Sequence, residues 1–192
     1  PFTGVSLTHY DNGQVKRRID YLAGKIHGAY VGYKQNGELL FSVPFEKGWP
    51  TGVNVDDLEG REIEESGYFG THFVPLVQYF GRQTGELYVG PYYYESSFDG
   101  EDFIYWSETD SAGMDHGMGV EFNKENWIVV GHSFWREGYP VESISFDADG
   151  MEGYRSFTSY REDGNTDKKT TFRYGMLFDQ KNYHYTSDGL PD

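Results

Sequence analysis

Tyr33-Lys34-Gln35-Asn36-Gly37-Glu38-Leu39 repeats His9-Tyr10-Asp11-Asn12-Gly13-Gln14-Val15 at an offset of 24 residues. The same offset matches Tyr21 to Phe45, Gly24 to Gly48 and Gly28 to Gly52. Farther along, Gln83-Thr84-Gly85-Glu86-Leu87 echoes Gln35 to Leu39, and Tyr93 and Gly100 hold the register of Tyr21 and Gly28. A fixed period of this length is the signature of a repeat architecture. Aligned on the turn residue, an aromatic stands four positions before Gly37, Asn126, Gly150, Gly164 and Gly189: Tyr33, Phe122, Phe146, Tyr160 and Tyr185. Another stands eight positions after a turn, at Tyr21, Phe45, Tyr93, Phe134 and Phe172. A closing glycine follows at Gly24, Gly48 and Gly175, with Gly138 one residue late. Such a cycle holds two short strands, each presenting alternate residues to one face. Asn12-Gly13, Asn36-Gly37, Asp149-Gly150, Asp163-Gly164 and Asp188-Gly189 are dipeptides favoured in two-residue hairpins with positive φ.

Composition agrees. Of 192 residues, 37% are hydrophobic, and 17 Tyr, 14 Phe and 4 Trp supply much of that. Aromatics build a thin core from few residues and favour pleated strands, while 25 Gly serve as turn punctuation. The fold class read from this pattern is all-β with almost no helix, organised as one repeat domain over residues 1–192. Clear repeats cover 9–52, 81–100, 116–138 and 160–189; residues 53–80 and 101–115 are degenerate or inserted. The acidic run Asp56 to Glu65 is readable either as a helical turn or as a charged strand.

The unit resembles a MORN repeat (membrane occupation and recognition nexus): an aromatic strand, a Gly turn, a second strand and a closing Gly. Residues 9–52 resemble the bacterial MORN-variant subfamily, with Tyr33 to Gly52 matching closely. His116-Gly117-Met118-Gly119-Val120-Glu121-Phe122, followed by Val130-Gly131 and Phe134 to Gly138, is more similar to the conventional repeat. The resemblance implies an elongated, single-layer, twisted antiparallel sheet of tandem hairpins. It also implies an antitoxin-like, toxin-neutralising or immunity role.

Formal charge is −15, which disfavours phosphate backbones and anionic lipid surfaces and draws a basic partner. The same acidity also keeps an aromatic-rich surface soluble. Lys16, Arg17 and Arg18 form the one basic cluster of note, with Lys168-Lys169 a smaller one. The absence of Cys excludes disulfides and thiolate chemistry. No apolar run approaches the ~18 residues of a membrane span. The chain begins at Pro1 rather than Met, so removal of an N-terminal segment is expected, and bacterial cytoplasm and cell envelope or export fit equally.

No nucleophile elbow, phosphate loop, zinc spacing or nucleotide fingerprint appears. Gly117-Met118-Gly119 reads as backbone punctuation. The six His lack the short i, i+2 or i+4 pairing common in metal sites, and His9 replaces a repeat tyrosine. Asp147-Ala148-Asp149-Gly150-Met151-Glu152 resembles part of a calcium loop but lacks its full set of oxygen ligands. No cofactor is implied, and the expectation is a non-enzymatic protein. The segment Tyr92 to Glu108 puts aromatics on both faces of a strand: one can be core, and the other is either covered by the insert 53–80 or available to a ligand. Tyr92, Tyr94, Glu95, Glu101, Asp102, Trp106 and Glu108 are therefore the candidate contacts for a basic protein partner. Two other readings are a structural scaffold of membrane or cell envelope and a glycan-binding module using exposed Tyr and Trp.

Overall fold

The computed structural model describes residues 1–63, 67–69, 72–74, 76–147, 151–186, 190 and 191. Among these it is all-β, with a single 3-10 turn at Val55–Asp57 as its helical element. No helix is long and apolar enough to cross a membrane. Two compact units follow one another in the chain, Pro1–Val53 and Asn54–Asp192.

The first unit is an antiparallel sheet in chain order: β1 (Gly4–His9), β2 (Val15–Leu22), β3 (Lys25–Tyr33), β4 (Leu39–Glu46) and β5 (Trp49–Pro50). Tyr30 stands opposite Val43 and Gly32 opposite Phe41, and Tyr30, Phe41, Val43 and Phe45 are buried together. The Tyr30 ring lies 5.8 Å from Phe41 and 6.2 Å from Phe45 between centroids.

β6 (Val53–Asn54) spans the junction in sequence. Within the second unit, β7 (Leu58–Glu62) pairs with β10 (Val77–Gly81), and β8 (Gly67–Phe69) with β9 (His72–Val74). The acidic run is thus both things: a 3-10 turn, capped where the Asn54 side chain accepts from the Asp56 amide, and then a strand. Its last two residues, Glu64 and Glu65, lie outside the described residues. From β11 (Pro91–Phe98) the ladder resumes in chain order: β12 (Glu101–Thr109), β13 (Asp115–Asn123), β14 (Val129–Arg136), β15 (Tyr139–Phe146), β16 (Glu152–Tyr160), β17 (Thr166–Arg173) and β18 (Met176–Asn182). The hairpin sheets are antiparallel and open. The run of consecutive hairpins breaks at 53–90, the region where the repeat pattern fades.

The turns correct one expectation. Asn12-Gly13, Asn36-Gly37 and Asp163-Gly164 do not form two-residue hairpins. They close three-residue loops, in which the Gly amide donates to the carbonyl three residues back, Gly37 to Lys34 at 2.9 Å. The strands are then joined by the Lys34 amide donating to Glu38 at 2.8 Å. Only the glycine has positive φ (Gly37, +87°), while the Asn36 side-chain oxygen accepts the Glu38 amide at 3.1 Å. This is a type I turn ended by a left-handed residue, which inserts a bulge. The two-residue turns lie instead at the closing glycines, and at Gly100, a turn residue that does not share the mid-strand place of Gly28. Ala23-Gly24, Lys47-Gly48, Asp99-Gly100, Glu137-Gly138 and Tyr174-Gly175 have positive φ at both positions. Asp149-Gly150 and Asp188-Gly189 lie outside the described residues, as does half of the calcium-like fragment.

Gly37→Val places a β-branched residue in left-handed backbone, where even an unbranched side chain is strained. The expected loss is about 1–3 kcal/mol, measured by denaturant unfolding against wild type. A variant that unfolds at the wild-type midpoint would show that the loop is not held in this form.

Candidate functional site

Cross-strand register sorts the side chains of β11 to β15 onto two faces. Trp106, Val120, His132 and Ile144 form one row across four strands, all buried, with Ile104 opposite Phe122 beside it. The other face carries Tyr94 opposite Tyr105, Tyr105 opposite Glu121, and Glu121 opposite Gly131. The first row is core. The second is half-exposed and rich in hydroxyls and carboxylates.

The second face is held in one arrangement by hydrogen bonds. The Tyr92 hydroxyl donates to Asp115 Oδ1 at 2.5 Å, and the Ser107 hydroxyl lies beside the same carboxyl. Trp135 Nε1 donates to the Tyr105 hydroxyl at 2.7 Å and lies 2.8 Å from Ser133 Oγ. The Tyr105 and Ser133 hydroxyls are 3.0 Å apart. Tyr105 lies across Gly119, where a Cβ would stand 2.0 Å from its hydroxyl oxygen. Only a residue without a side chain lets the phenol cross there. Tyr94 and Tyr105 approach to 5.1 Å between centroids.

The inserted segment covers one end of this face. The Tyr79 amide donates to the Gly113 carbonyl and the Gln78 side chain to the Ala112 carbonyl, both at 2.9 Å. The Tyr79 ring packs on Tyr92 at 5.0 Å. Tyr94, Tyr105 and Glu121 remain partly open to solvent.

Electrostatically the face is uncompensated. Burial pushes the Asp115 carboxyl up to about 6, despite the Tyr92 and Ser107 hydrogen bonds that favour the anion. Desolvation also raises Glu121, and it raises the phenols of Tyr92 and Tyr94 while pushing Tyr105 up to about 12. Among the described residues, neither Asp115 nor Glu121 forms an ion pair with a Lys or Arg. Two carboxylates are therefore held beside phenols without a cation.

The seven sequence candidates do not converge. Tyr92 lies on the tyrosine face but is buried under Tyr79. Tyr94 is on the same face and accessible. Trp106 is 3% exposed in the apolar row, so it presents nothing to a partner. Glu95 is on the Trp106 face, paired with Lys124, and Glu108 stands opposite Pro91. Glu101 and Asp102 lie at the hairpin end, where Glu101 accepts from Asn123 and Asp102 from Ser97. Sequence reasoning missed Asp115, Glu121, Trp135 and the pairing role of Tyr105. Register alone sets Tyr105 and Glu121 beside Tyr94, and the shift between Trp106 and Glu108 brings Asp115 to Tyr92.

No model of a known protein family matches the chain, and comparison with curated proteins finds no match.

Two outcomes follow from burial. Trp106→Ala empties a core position and costs about 3–5 kcal/mol, read as a lowered denaturation midpoint. For Asp115 the folded state holds the proton more tightly than the unfolded chain. Its contribution to stability is full below the unfolded pKa of about 4 and is lost as pH rises through about 6. Wild type should therefore gain about 1 kcal/mol from this group between about pH 7.5 and about pH 5. Asp115→Asn should lack that increment, and parallel pH profiles for the two proteins would contradict the assignment.

Proposed function

We propose that this chain is a non-enzymatic, protein-binding repeat protein of the MORN type, whose tyrosine–carboxylate face receives arginine or lysine side chains of a basic partner. One observation carries the reading: Asp115 and Glu121 stand partly desolvated among Tyr92, Tyr94 and Tyr105 with no cation of the described chain against them. An incoming guanidinium recovers the charge interaction that burial has left unmet and stacks on the phenol rings. Glu121 lies on the open part of this sheet face and Asp115 at its covered end, an arrangement that suits recognition of a side chain more than turnover of a substrate.

The repeat type is supported by the alternation of three-residue bulged loops with two-residue turns, and by aromatics lying over glycines on the neighbouring strand. A toxin-neutralising or immunity role follows from that resemblance: an acidic, tyrosine-lined face fits the basic surface of a protein that acts on nucleic acid.

Calorimetric titration with an arginine-rich peptide, at low and high salt, tests the site. Tyr94→Ala and Glu121→Gln should each weaken binding about tenfold or more while leaving the melting temperature near wild type. Affinity should fall steeply with salt. Variants that bind normally would remove this face from the interface. Binding that survives high salt and is competed by a sugar would transfer the function to glycan recognition.

A further inference from the structure

The last strand, β18, is hydrogen-bonded to β17 alone among the described residues. An open edge of this kind is a template for another strand. It is also apolar at its start, with Met176, Leu177 and Phe178 exposed to 71%, 61% and 62%. After these come Asp179, Gln180, Lys181 and Asn182.

The direction of the free backbone groups is fixed by the existing ladder. The Tyr183 amide donates to the Asp167 carbonyl at 2.9 Å, and the register sets Lys181 against Lys169 and Asp179 against Thr171. By the two-residue alternation of a strand, Asp179, Lys181 and Tyr183 turn their amides and carbonyls toward β17. Gln180 and Asn182 turn theirs away, to the free edge. The charges on this strand are only half-matched. Lys181 reaches Asp179 at 3.7 Å but stands directly opposite another cation, Lys169. Like charges in that relation destabilise a pair of strands.

We propose that a second copy of this chain pairs antiparallel along β18, about a two-fold axis through Gln180. In that register Gln180 faces Gln180 of the second copy and exchanges both backbone hydrogen bonds with it. Asp179 then stands opposite Lys181 of the second copy, and Lys181 opposite its Asp179. The four charges alternate across the axis, and Lys181 gains an anion on the side away from Lys169. Centring the pair on Asp179 would set carboxylate against carboxylate, and centring it on Lys181 ammonium against ammonium. A slip of one residue without recentring would face outward groups with inward ones and make no ladder. Charge and hydrogen-bond direction thus select one register. The interface is isologous, so it closes at two copies rather than propagating.

Sedimentation equilibrium of the whole chain, from low micromolar to about 100 µM, reads the association directly. Asp179→Lys and Lys181→Asp should each weaken dimerisation about tenfold or more, by opposing like charges across the axis. The double variant, which restores alternation with the signs exchanged, should recover the wild-type dimer. Gln180→Pro removes an outward amide that β17 does not use, and should leave a folded monomer by circular dichroism. A chain that stays monomeric throughout the range overturns the proposal. So does a dimer indifferent to Gln180→Pro and to the charge exchanges, which would place self-association at another surface such as β1. Neither result bears on the peptide site, which is read by calorimetry on β11 to β14.

Discussion

Because every strand from β1 to β5 and from β12 to β17 pairs only with strands next to it in sequence, each backbone amide finds its partner through the turn beside it. In these turns the left-handed residue, alone in a three-residue loop and joined by the one before it in a two-residue turn, therefore governs what happens on both flanking strands. Where that residue ends a three-residue loop, as at Gly13, Gly37 and Gly164, the ladder beside it takes a one-residue shift, between Thr8 and His9, Gly32 and Tyr33, and Ser159 and Tyr160. A bulge increases the local twist and exchanges the faces of everything beyond it. The shift between Trp106 and Glu108 takes up two residues of β13 and so keeps the faces: Asp115 stays on the side of Glu121, and the shift brings it opposite Thr109, within reach of the Tyr92 hydroxyl.

The two faces that result have opposite energetics. The row through Trp106, Val120, His132 and Ile144 is stabilised by removal of apolar surface from water, about 25 cal/mol per Å². The row through Tyr94, Tyr105 and Glu121 is stabilised by hydrogen bonds and ring contacts, and it bears the desolvation of its carboxylates as a cost. That cost is tolerable because the Tyr92 hydroxyl donates to Asp115. It also leaves the site more responsive to an arriving cation than a fully hydrated carboxylate would be. Gly119 keeps this face low enough for the Tyr105 phenol to lie across it, and Gly131 leaves room for the Glu121 side chain.

Much of the fold was legible in the sequence because turn glycines and strand aromatics are local signals. The strand content, the reversal points and the weak region at 53–80 all follow from residue type and spacing. The turn geometry was not legible in full: Asn-Gly suits both a two-residue turn and the bulged three-residue loop, and the choice is made by where the neighbouring register closes. The turn ending at Gly113 was overlooked for a related reason. Ala112 precedes the glycine, and the carboxylate that stabilises the loop is Asp110, which accepts the Ala112 and Met114 amides. The site was only partly legible. Tyr94 stood out within an aromatic run, but Trp106 in the same run is core, and Asp115 and Glu121 join Tyr94 through pairings that no local pattern encodes.

Charge adds a distinction that the whole-chain total conceals. Residues 1–53 hold six Lys and Arg against four Asp and Glu, whereas residues 54–192 hold ten against 27. The second unit therefore carries a formal −17, and the first is mildly basic at +2. Salt screens exposed charges beyond about 8–10 Å under ordinary conditions, so each surface responds mainly to its own charges. The attraction proposed for a basic partner draws on the second unit, where nine acids and Lys124 alone lie between Tyr92 and Asn126. The electrostatic case against phosphate-bearing partners rests on that same unit. It does not extend to the first unit, where Lys16 and Arg18 share one face of β2 and Arg17 lies on the other, against the Tyr30 hydroxyl.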